Sequence, residues 1–574
     1  MNNENPLIVQ GDRSLLLDVH APLADECRDA LIPFAELEKS PEHLHTYKLT
    51  PLSLWNAASA GFTADDAVAV LEKYARYDIP KAIPAWIKEV SGRFGKITLE
   101  PCEEGEDLLL VAATEAIYKE IGANTAVKKY LSTVVPVLRQ AQQPQVEGPL
   151  PKFTYLIKLT DRGTIKQLLL EAGWPVKDEV ALADGEPLEV NLRQTTASGL
   201  PLEIREYQTS AAKALVGDKG PGTGFGTIVL PCGSGKTIVG MQIMDMLKTS
   251  TLIITTNISA VHQWIDELLD KTNLTRDEIA EYTGENKDIK PVTVATYQVL
   301  TWRPNKEGPF PHFSLFHERP WGLIIYDEVH MLPAPVFRVV AELQAVRRVG
   351  LTATLVREDG CEGYVFSLVG PKRYDVPWKE LERDNWIATA ECVEVRMDLP
   401  YGSEIDYAVA GSREKHKIAS QNPDKLTVVN KIVQKYTEDK ILIIGQYLDQ
   451  LNQIAQMLKV PIITGKTPTA ERDRIYGEFR AGKINILVVS KVANFAIDLP
   501  DASLAIQVSG TFGSRQEEAQ RLGRILRPKE RTSRFFTLIT RNTVEEEFGA
   551  NRQKFLAEQG YSYRIVRYAE GEEL

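Results

Sequence analysis

The chain has few cysteines, and their spacing suggests no structural role. The five residues, Cys27, Cys102, Cys232, Cys361 and Cys392, include no C-x-x-C pair and no spacing that suits one metal ion. We therefore expect five free thiols in a reducing compartment. An iron–sulfur cluster is excluded, because it would need four clustered cysteines.

Long hydrophobic runs are also missing from the 574 residues. The longest apolar stretches, such as "GLIIYDEV" and "ILIIG", have the length of core strands and are much too short to cross a bilayer. The opening "MNNENPLIVQ" lacks the basic and then apolar segments of a secretory signal. We therefore expect a cytoplasmic protein without membrane contact.

An excess of positive charge is absent as well, since the formal net charge is -11 and the pI is about 5.5. This acidity does not exclude binding to nucleic acid, because binding depends on local basic patches rather than on the average. The length exceeds what one hydrophobic core supports, so we expect several domains.

Two small modules are predicted before residue 201. Residues 1–104 contain three short helices and then a strand, with Thr50 and Thr63 as helix N-caps. This order resembles a winged-helix arrangement, and a small packing domain without nucleic-acid contacts fits it equally well. Residues 105–200 alternate strands and helices around a polar, proline-containing loop at 140–151, which predicts a second α+β module.

From about residue 201 onward, apolar strand-length runs alternate with helices, which is typical of parallel α/β sheets. The pattern occurs twice, and we place the two units at 201–385 and 386–574. Ligands of such sheets bind at the carboxyl ends of the strands. The predicted fold class is therefore α/β with two tandem parallel-sheet domains, preceded by small α+β modules.

A phosphate loop is predicted in "TIVLPCGSGKTIVG", where a strand, a glycine-containing turn and a helix start follow one another. Backbone N–H groups of such a turn bind phosphate, Lys236 can reach the β- and γ-phosphates, and the Thr237 hydroxyl can ligate Mg²⁺. Leu230 departs from the general pattern, which has glycine at that position. The "GSGKT" ending in its strand–loop–helix setting still predicts binding of a nucleoside triphosphate.

Two further groups of residues complete a predicted hydrolytic site. The strand in "WGLIIYDEVH" ends at Asp327 and Glu328, which we assign to Mg²⁺ binding and to polarising the attacking water. Near the end of the chain, "QEEAQRLGRILRP" carries Gln520, Arg524 and Arg527 at helical spacing, so both arginines can face one γ-phosphate. Alone, each stretch would also fit a solvated turn or helix face.

In order along the chain, "LPCGSGKT", "DEVH", "TAT" and "QRLGRILR" resemble the motor of superfamily 2 helicases. The stretches "YKLTPLSLWNAASAG", "IREYQ", "TNISAVHQW", "GLTATLVREDG", "VGPKRYDVPWKEL", "SKVANFAIDLP" and "SGTFGSRQEEAQRLGRILRP" are similar to the XPB-type DNA repair helicases, above all to bacterial and archaeal members. The resemblance covers nearly the whole chain. It implies two RecA-like motor domains and the use of ATP and Mg²⁺.

The resemblance also implies roles for single residues. Arg205 and Gln208 would read the adenine ring, Asp498 would lie near the ribose and the arginine fingers, and the phosphate loop would be formed by Pro231, Cys232, Gly233, Ser234, Gly235, Lys236 and Thr237. Coupling of hydrolysis to movement would fall to His330, Thr352 and Thr354. Each of these could instead cap a strand end.

Contacts with DNA follow from the same resemblance. Arg357, Glu358 and Asp359 would form the family's RED element, which is implicated in DNA engagement and unwinding, whereas the three charges taken without their flanking sequence would favour a solvated turn. Residues 401–425 would supply a short thumb, whose Arg413, Lys415, His416 and Lys417 could touch phosphates or form a solvated face. The module at 105–200 has the position of the family's damage-recognition domain.

The resulting prediction is an ATP-dependent DNA helicase or translocase that moves 3′ to 5′ and acts in nucleotide excision repair or related DNA repair. Its expected partners are single-stranded DNA, forked or bubble duplexes and possible repair nucleases, and a monomeric motor suffices. An RNA-directed or restriction-type motor with the same core is one alternative. A scaffold with a decayed ATPase is the other.

Overall fold

The computed structural model describes residues 4–39, 43–102, 107–133, 153–220, 222–231, 233–305, 308, 310–344, 346–353, 362–376, 381, 390–490, 502–510, 532–558, 561 and 563–568. These residues form four sheets. Among the described residues, no helix combines the length and apolar character needed to span a membrane. The three described cysteines, Cys27, Cys102 and Cys392, are free thiols, and burial raises the pKa of Cys27 to about 12. Cys232 and Cys361 lie outside the described residues.

The N-terminal sheet is antiparallel, in the order β1-β2-β4-β3, and four helices accompany it. Thr50 and Thr63 cap the second and third helices through capping boxes, which confirms both predicted helix starts. The elements are β1 (Leu7–Val9), β2 (Ser14–Asp18), α1 (Ala24–Leu31), β3 (Glu36–Lys39), β4 (Leu44–Lys48), α2 (Pro51–Ser59), α3 (Ala64–Tyr74) and α4 (Ala82–Ser91).

The second sheet has the order β7-β8-β6-β5-β9. Its first two strands in the chain form an antiparallel pair on either side of residue 104, so this sheet extends across the predicted module boundary. Its elements are β5 (Ile97–Pro101), β6 (Leu108–Ala112), α5 (Glu115–Ala123), α6 (Thr125–Lys128), β7 (Ser132–Thr133), β8 (Thr154–Ile157), α7 (Arg162–Glu171) and β9 (Val176–Asp178).

The first parallel sheet has the order β12-β13-β11-β14-β15-β10-β16. Most of its strand residues are buried, as expected for a sheet covered on both faces. Its elements are α8 (Glu206–Val216), β10 (Phe225–Val229), α9 (Lys236–Leu247), β11 (Thr251–Thr255), α10 (Ile258–Lys271), β12 (Ile279–Tyr282), β13 (Val292–Thr296), α11 (Tyr297–Leu300), β14 (Leu323–Asp327), α12 (Ala334–Glu342), β15 (Arg347–Thr352), α13 (Glu362–Tyr364) and β16 (Lys372–Asp375).

The second parallel sheet has the order β19-β20-β18-β21-β22-β17-β23. Its elements are β17 (Ala390–Met397), α14 (Ser403–Val409), α15 (Ser412–Ser420), α16 (Asp424–Lys435), β18 (Ile441–Gly445), α17 (Leu448–Leu458), β19 (Ile462–Ile463), α18 (Thr469–Arg480), β20 (Ile486–Ser490), β21 (Leu504–Gln507), β22 (Ser533–Thr540), α19 (Val544–Glu558) and β23 (Tyr563–Arg567).

The two parallel sheets share one topology. If the seven strands of each sheet are numbered in chain order from β10 and from β17, both sheets read 3-4-2-5-6-1-7. The same winding in two consecutive units confirms the predicted fold class of two tandem RecA-like α/β domains after small α+β modules. The first strand of each unit lies beside its sixth, so the carboxyl ends of β10 and β15 meet at one sheet edge.

Helix α7 of the second small sheet is fixed to the first parallel-sheet unit through buried charges. The Lys166 ammonium donates to Asp178 at 2.9 Å and to Gln344 at 2.7 Å, and Arg348 donates to the same Gln344 oxygen at 2.9 Å. A side chain at Gly163 would come within 2.4 Å of the Ala341 carbonyl oxygen, so α7 packs directly on the backbone of α12. Each buried charge has a partner, as burial requires.

Residues 401–425 form the short helical pair α14 and α15 and enter α16. His416, one of the four predicted phosphate contacts, is fully buried, and its Nδ1 lies 2.9 Å from the Tyr447 hydroxyl. The expected phosphate contact of His416 is therefore wrong, because this position of α15 faces the protein interior. Arg413 and Lys417 are exposed, whereas the Lys415 ammonium lies 5.5 Å from the Tyr407 ring centroid.

A buried ion pair joins distant segments of the second parallel-sheet unit. Lys425 on α16 and Glu545 on α19 are 0% and 1% exposed, with their charged atoms 2.8 Å apart. Lys425 also donates to the carbonyl of Val508 at 2.9 Å, and Glu545 accepts from the backbone N–H of Thr540 at 2.9 Å. The pair therefore holds α16, α19 and the ends of β21 and β22 together.

We expect Lys425→Met to lower the local stability of this unit by about 3–5 kcal/mol, since it leaves the Glu545 carboxylate buried without its cation. Hydrogen exchange of strands β21 and β22 in the full-length protein would measure the loss. The control is Arg474→Met, which breaks an exposed pair with Glu478 and should cost about 0.5 kcal/mol at most. Equal effects of the two variants would contradict the role given to Lys425.

Candidate nucleotide site

The predicted phosphate loop connects β10 to α9, as its sequence pattern requires. Gly233 and Gly235 have φ angles of +78° and +82°, a backbone conformation that favours glycine. The buried Ser234 hydroxyl donates to the Pro231 carbonyl at 2.6 Å and closes the turn. Lys236 is the first residue of α9, so the loop leads directly into a helix N-terminus, whose free backbone N–H groups favour an anion.

The first turn of α8 forms hydrogen bonds to the phosphate loop. The Tyr207 hydroxyl and the Gln208 amide both donate to the Ser234 carbonyl, at 2.6 and 2.8 Å. The Gln208 oxygen accepts from the backbone N–H of Arg205 at 2.9 Å, and the Arg205 guanidinium donates to the Tyr207 hydroxyl at 3.0 Å. Of the two predicted adenine readers, Gln208 therefore contacts the phosphate loop directly, whereas Arg205 is linked to it through Tyr207 and Gln208.

The Asp327 carboxylate lies at the carboxyl end of β14 and is held by three donors. Its Oδ2 accepts from the indole N–H of Trp264 at 2.9 Å and from the Thr255 hydroxyl at 3.3 Å. Its Oδ1 accepts from the backbone N–H of Glu328 at 3.1 Å. Burial and the neighbouring Glu328 charge raise the pKa of Asp327 to about 6, while the Trp264 bond and Lys236 oppose the rise. A cation bound here would favour the charged carboxylate.

Glu328 adopts a left-handed backbone conformation, with a φ of 49°. Such a conformation is costly for a residue with a side chain and is found preferentially at functional sites. It directs Glu328 Oε1 to within 3.6 Å of the Lys236 ammonium. Its other oxygen, Oε2, is buried without a hydrogen-bond donor among the described residues, and it lies 3.5 Å from His330 Nδ1.

Strand β15 connects the loop and the acidic strand end. It lies between β10 and β14 in the sheet. The Thr352 carbonyl accepts from the backbone N–H of Leu230 at 2.9 Å, and the Thr352 hydroxyl lies 2.7 Å from His330 Nδ1. The predicted coupling residues His330 and Thr352 are therefore in contact beside both parts of the nucleotide site.

The side chains present fit a magnesium–triphosphate group. They comprise an ammonium, two carboxylates, the half-buried Thr237 hydroxyl in the first turn of α9, and a carboxylate oxygen without a donor. Oxygen ligands are those that Mg²⁺ takes in proteins, and usually only one or two carboxylates contribute. The same set places positive charge and N–H groups where phosphates would bind.

Several predicted site residues lie outside the described residues. They are Cys232, Thr354, Arg357, Glu358, Asp359, Asp498, Gln520, Arg524 and Arg527. Conversely, sequence reasoning gave no role to Tyr207, Thr255, Trp264 and Tyr297, the last of which donates to the Asp327 carbonyl at 3.0 Å. Tyr207 and Trp264 belong to the stretches "IREYQ" and "TNISAVHQW", but spacing alone does not reveal contacts between distant segments.

Three family models match separate parts of the chain. The model described as ERCC3/RAD25/XPB C-terminal helicase matches residues 381–573, and the one described as type III restriction enzyme, res subunit, matches residues 201–357. The model described as helicase conserved C-terminal domain matches residues 7–135, close to the N-terminus. Together they match the N-terminal sheet and most of the two parallel-sheet units, whereas β8, α7, β9, α13 and β16 lie between the matched ranges.

Named relatives align along nearly the full length. The DNA 3′-5′ helicase XPB of Kineococcus radiotolerans is 48% identical over 566 residues, which are 98% of this chain and 96% of the relative. The factor IIH helicase/translocase subunit XPB/SSL2 of Saccharomyces cerevisiae is 30% identical, covering 99% and 72% of the two chains. A solved structure of yeast Dbp5 bound to RNA and ADP BeF3 is 16% identical, with a TM-score of 0.45 over 63% of this chain and 89% of that chain.

The predicted resemblance to XPB-type helicases is thus confirmed by identity that extends over both small sheets and both parallel-sheet units. The family model that matches residues 381–573 and the full-length relatives name the same family. This chain belongs to the XPB (ERCC3/RAD25) family of helicases.

Proposed function

We propose that this protein is an ATP-dependent DNA helicase or translocase that opens or remodels duplex DNA during repair. The observation that carries the proposal is the phosphate loop whose Lys236 faces the paired carboxylates of β14, with Lys236 Nζ 3.6 Å from Glu328 Oε1. A phosphate-binding cation beside two carboxylates at the same edge of one sheet is what hydrolysis of a nucleoside triphosphate requires. The names of the full-length relatives support DNA as the track and a 3′ to 5′ direction.

Within the first parallel-sheet unit, each residue of the nucleotide site would have its own role in ATP hydrolysis. Thr237 and Asp327 would hold Mg²⁺, the latter partly through water, and the bound ion would neutralise charge on the phosphates. Lys236 would bind the β- and γ-phosphates. Glu328 would accept a hydrogen bond from the attacking water and polarise it. His330 and Thr352 would transmit the state of the γ-phosphate to the end of β15.

The second parallel-sheet unit would complete the site on closure. We assign Gln520, Arg524 and Arg527 to the γ-phosphate, where an arginine supplied from a second domain stabilises transition-state charge. Asp498 would lie beside the ribose, and Thr354 would act with Thr352. Closure with ATP and reopening after hydrolysis would alternate the grip on the DNA backbone.

DNA contacts in this proposal come from several segments. Arg357, Glu358 and Asp359 follow the coupling strand β15 and would act on the strands at a fork. The pair α14 and α15 within residues 401–425 would serve as a thumb, through the exposed Arg413 and Lys417. Single-stranded DNA and forked or bubble duplexes are the proposed ligands.

The wider organisation is proposed as well. We divide the chain into an N-terminal domain (1–104), a module at the damage-recognition position (105–200) and two motor domains (201–385 and 386–574). A monomeric motor suffices, and a repair nuclease is the proposed partner class. The match of residues 201–357 to a restriction-enzyme model keeps a restriction-type or RNA-directed motor as the second candidate, since such motors share this core.

ATP hydrolysis should be low without nucleic acid, stimulated by single-stranded and forked DNA, and stimulated far less by RNA. Lys236→Ala should abolish hydrolysis while preserving the fold, because the β- and γ-phosphates lose their cation. Steady-state ATPase assays of the two proteins with each nucleic acid measure this. Equal stimulation by RNA would transfer support to the RNA-directed candidate, and unchanged hydrolysis by Lys236→Ala would refute the phosphate-loop assignment.

Glu328→Gln should still bind ATP and DNA but hydrolyse ATP at least about 100-fold more slowly, since the amide cannot polarise the attacking water. Single-turnover hydrolysis and binding of a labelled ATP analogue separate the two effects. Glu281→Gln, a carboxylate change on β12 away from the phosphate loop, is the control and should leave turnover unchanged. Normal turnover by Glu328→Gln would assign the general base to another residue.

Arg357→Ala should reduce strand separation of a forked duplex by a larger factor than it reduces basal ATPase. The reason is that its proposed contact is with DNA phosphate rather than with nucleotide. A fluorescence unwinding assay run beside the ATPase assay gives both factors. Unwinding at the wild-type rate by this variant would contradict the DNA contact and support the alternative that residues 357–359 form a solvated turn.

A further inference from the structure

Trp264 is a buried aromatic residue on α10 whose indole N–H points at the acidic end of β14. We propose that Trp264 is the positioning residue for Asp327 and sets the Mg²⁺ requirement of the site. This inference rests on the proposed function, since it assumes that Asp327 serves a nucleotide-bound Mg²⁺. It deepens that function by naming a residue outside the phosphate loop and the "DEVH" stretch that controls metal use.

The two carboxylate oxygens of Asp327 accept hydrogen bonds from different donors. Oδ2 accepts from Trp264 at 2.9 Å and from the Thr255 hydroxyl at 3.3 Å. Oδ1 accepts from the backbone N–H of its neighbour Glu328 at 3.1 Å. Because each carboxylate oxygen has two lone pairs, Oδ2 is fully used by the protein, whereas Oδ1 keeps one acceptor site for a water on the metal.

Packing fixes the donor in place. The Trp264 ring lies against Gly240 of α9 so closely that a side chain there would come within 2.7 Å of ring atom Cη2. The same position is 3.5 Å from the Ile325 side chain on β14, so the ring fills the space between the phosphate-loop helix and the acidic strand. With only 2% of its surface exposed, Trp264 cannot exchange its bond to Asp327 for one to bulk water.

A fixed donor on Oδ2 restricts rotation of the carboxylate, while the backbone N–H of Glu328 holds Oδ1. Without the indole N–H, Asp327 would be less ordered before the nucleotide arrives, so more Mg²⁺ would be needed to fill the site.

The chain offers a matched control in Trp321, which is also 2% exposed. Its indole N–H donates at 2.9 Å to the carbonyl of Leu315, at a distance equal to that of the Trp264 bond. Trp264→Phe and Trp321→Phe therefore each remove one buried indole hydrogen bond and keep an aromatic ring. Thr255→Val removes the longer bond to Oδ2 and provides a second, more conservative probe of the same oxygen.

The experiment compares wild type with these three variants in two measurements. One is the affinity for a non-hydrolysable ATP analogue with Mg²⁺ and with EDTA, and the other is the Mg²⁺ concentration that gives half-maximal DNA-stimulated ATPase. Trp264→Phe should lose most of the affinity gained from Mg²⁺ while its affinity in EDTA stays that of wild type. Its half-maximal Mg²⁺ concentration should rise about tenfold, in keeping with loss of one hydrogen bond to a charged group.

Thr255→Val should shift both measurements in the same direction but less, and Trp321→Phe should shift neither. Equal Mg²⁺ dependence of Trp264→Phe and wild type would overturn the inference, as would an equal shift by Trp321→Phe. A lower rate of Trp264→Phe at every Mg²⁺ concentration, without a shift in half-saturation, would assign it a merely structural role and also overturn it. Failure of the proposed function is distinct, because wild type would then show no DNA-stimulated ATPase.

Discussion

The nucleotide site depends on keeping one carboxylate charged inside the protein. Asp327 ends a buried strand, and its pKa is raised to about 6 because burial and Glu328 both disfavour its charge. The protein offsets this with an indole N–H, a hydroxyl and a backbone N–H rather than with a cation in direct contact. Lys236 instead faces Glu328, which leaves it placed to meet phosphate. A site arranged in this way gains most of its neutralising charge only when a divalent cation binds with the nucleotide.

Strand order explains why these groups meet at all. In the first parallel-sheet unit, β15 separates β10 from β14, so the phosphate loop and the acidic strand end lie one strand apart at the same sheet edge. The second unit repeats the order 3-4-2-5-6-1-7. Both units therefore present the carboxyl ends of their strands in the same order, and the chemistry of such sheets resides in the loops at these ends rather than in the strands.

Much of this could be predicted from the sequence. The phosphate loop, the acidic strand end and the caps at Thr50 and Thr63 are encoded within a few neighbouring residues, and each has the local structure expected. Contacts between distant segments were not predictable. Tyr207 and Trp264 act on Ser234 and Asp327, respectively, through tertiary packing, which periodicity does not reveal. The predicted phosphate contact of His416 was wrong for the same reason, since the sequence of a basic run does not show which face of the helix is buried.

The docking of α7 constrains how force could be transmitted. Lys166, Gln344 and Arg348 form a buried chain of hydrogen bonds between α7 and the first parallel-sheet unit, and Gly163 allows backbone contact with α12. Separating these surfaces would break the buried hydrogen bond from Lys166 to Gln344 and the close backbone packing at Gly163, which costs more than parting a solvated interface. The second small sheet should therefore move with the first unit as one body. Displacement during the ATP cycle would then fall between this body and the second parallel-sheet unit.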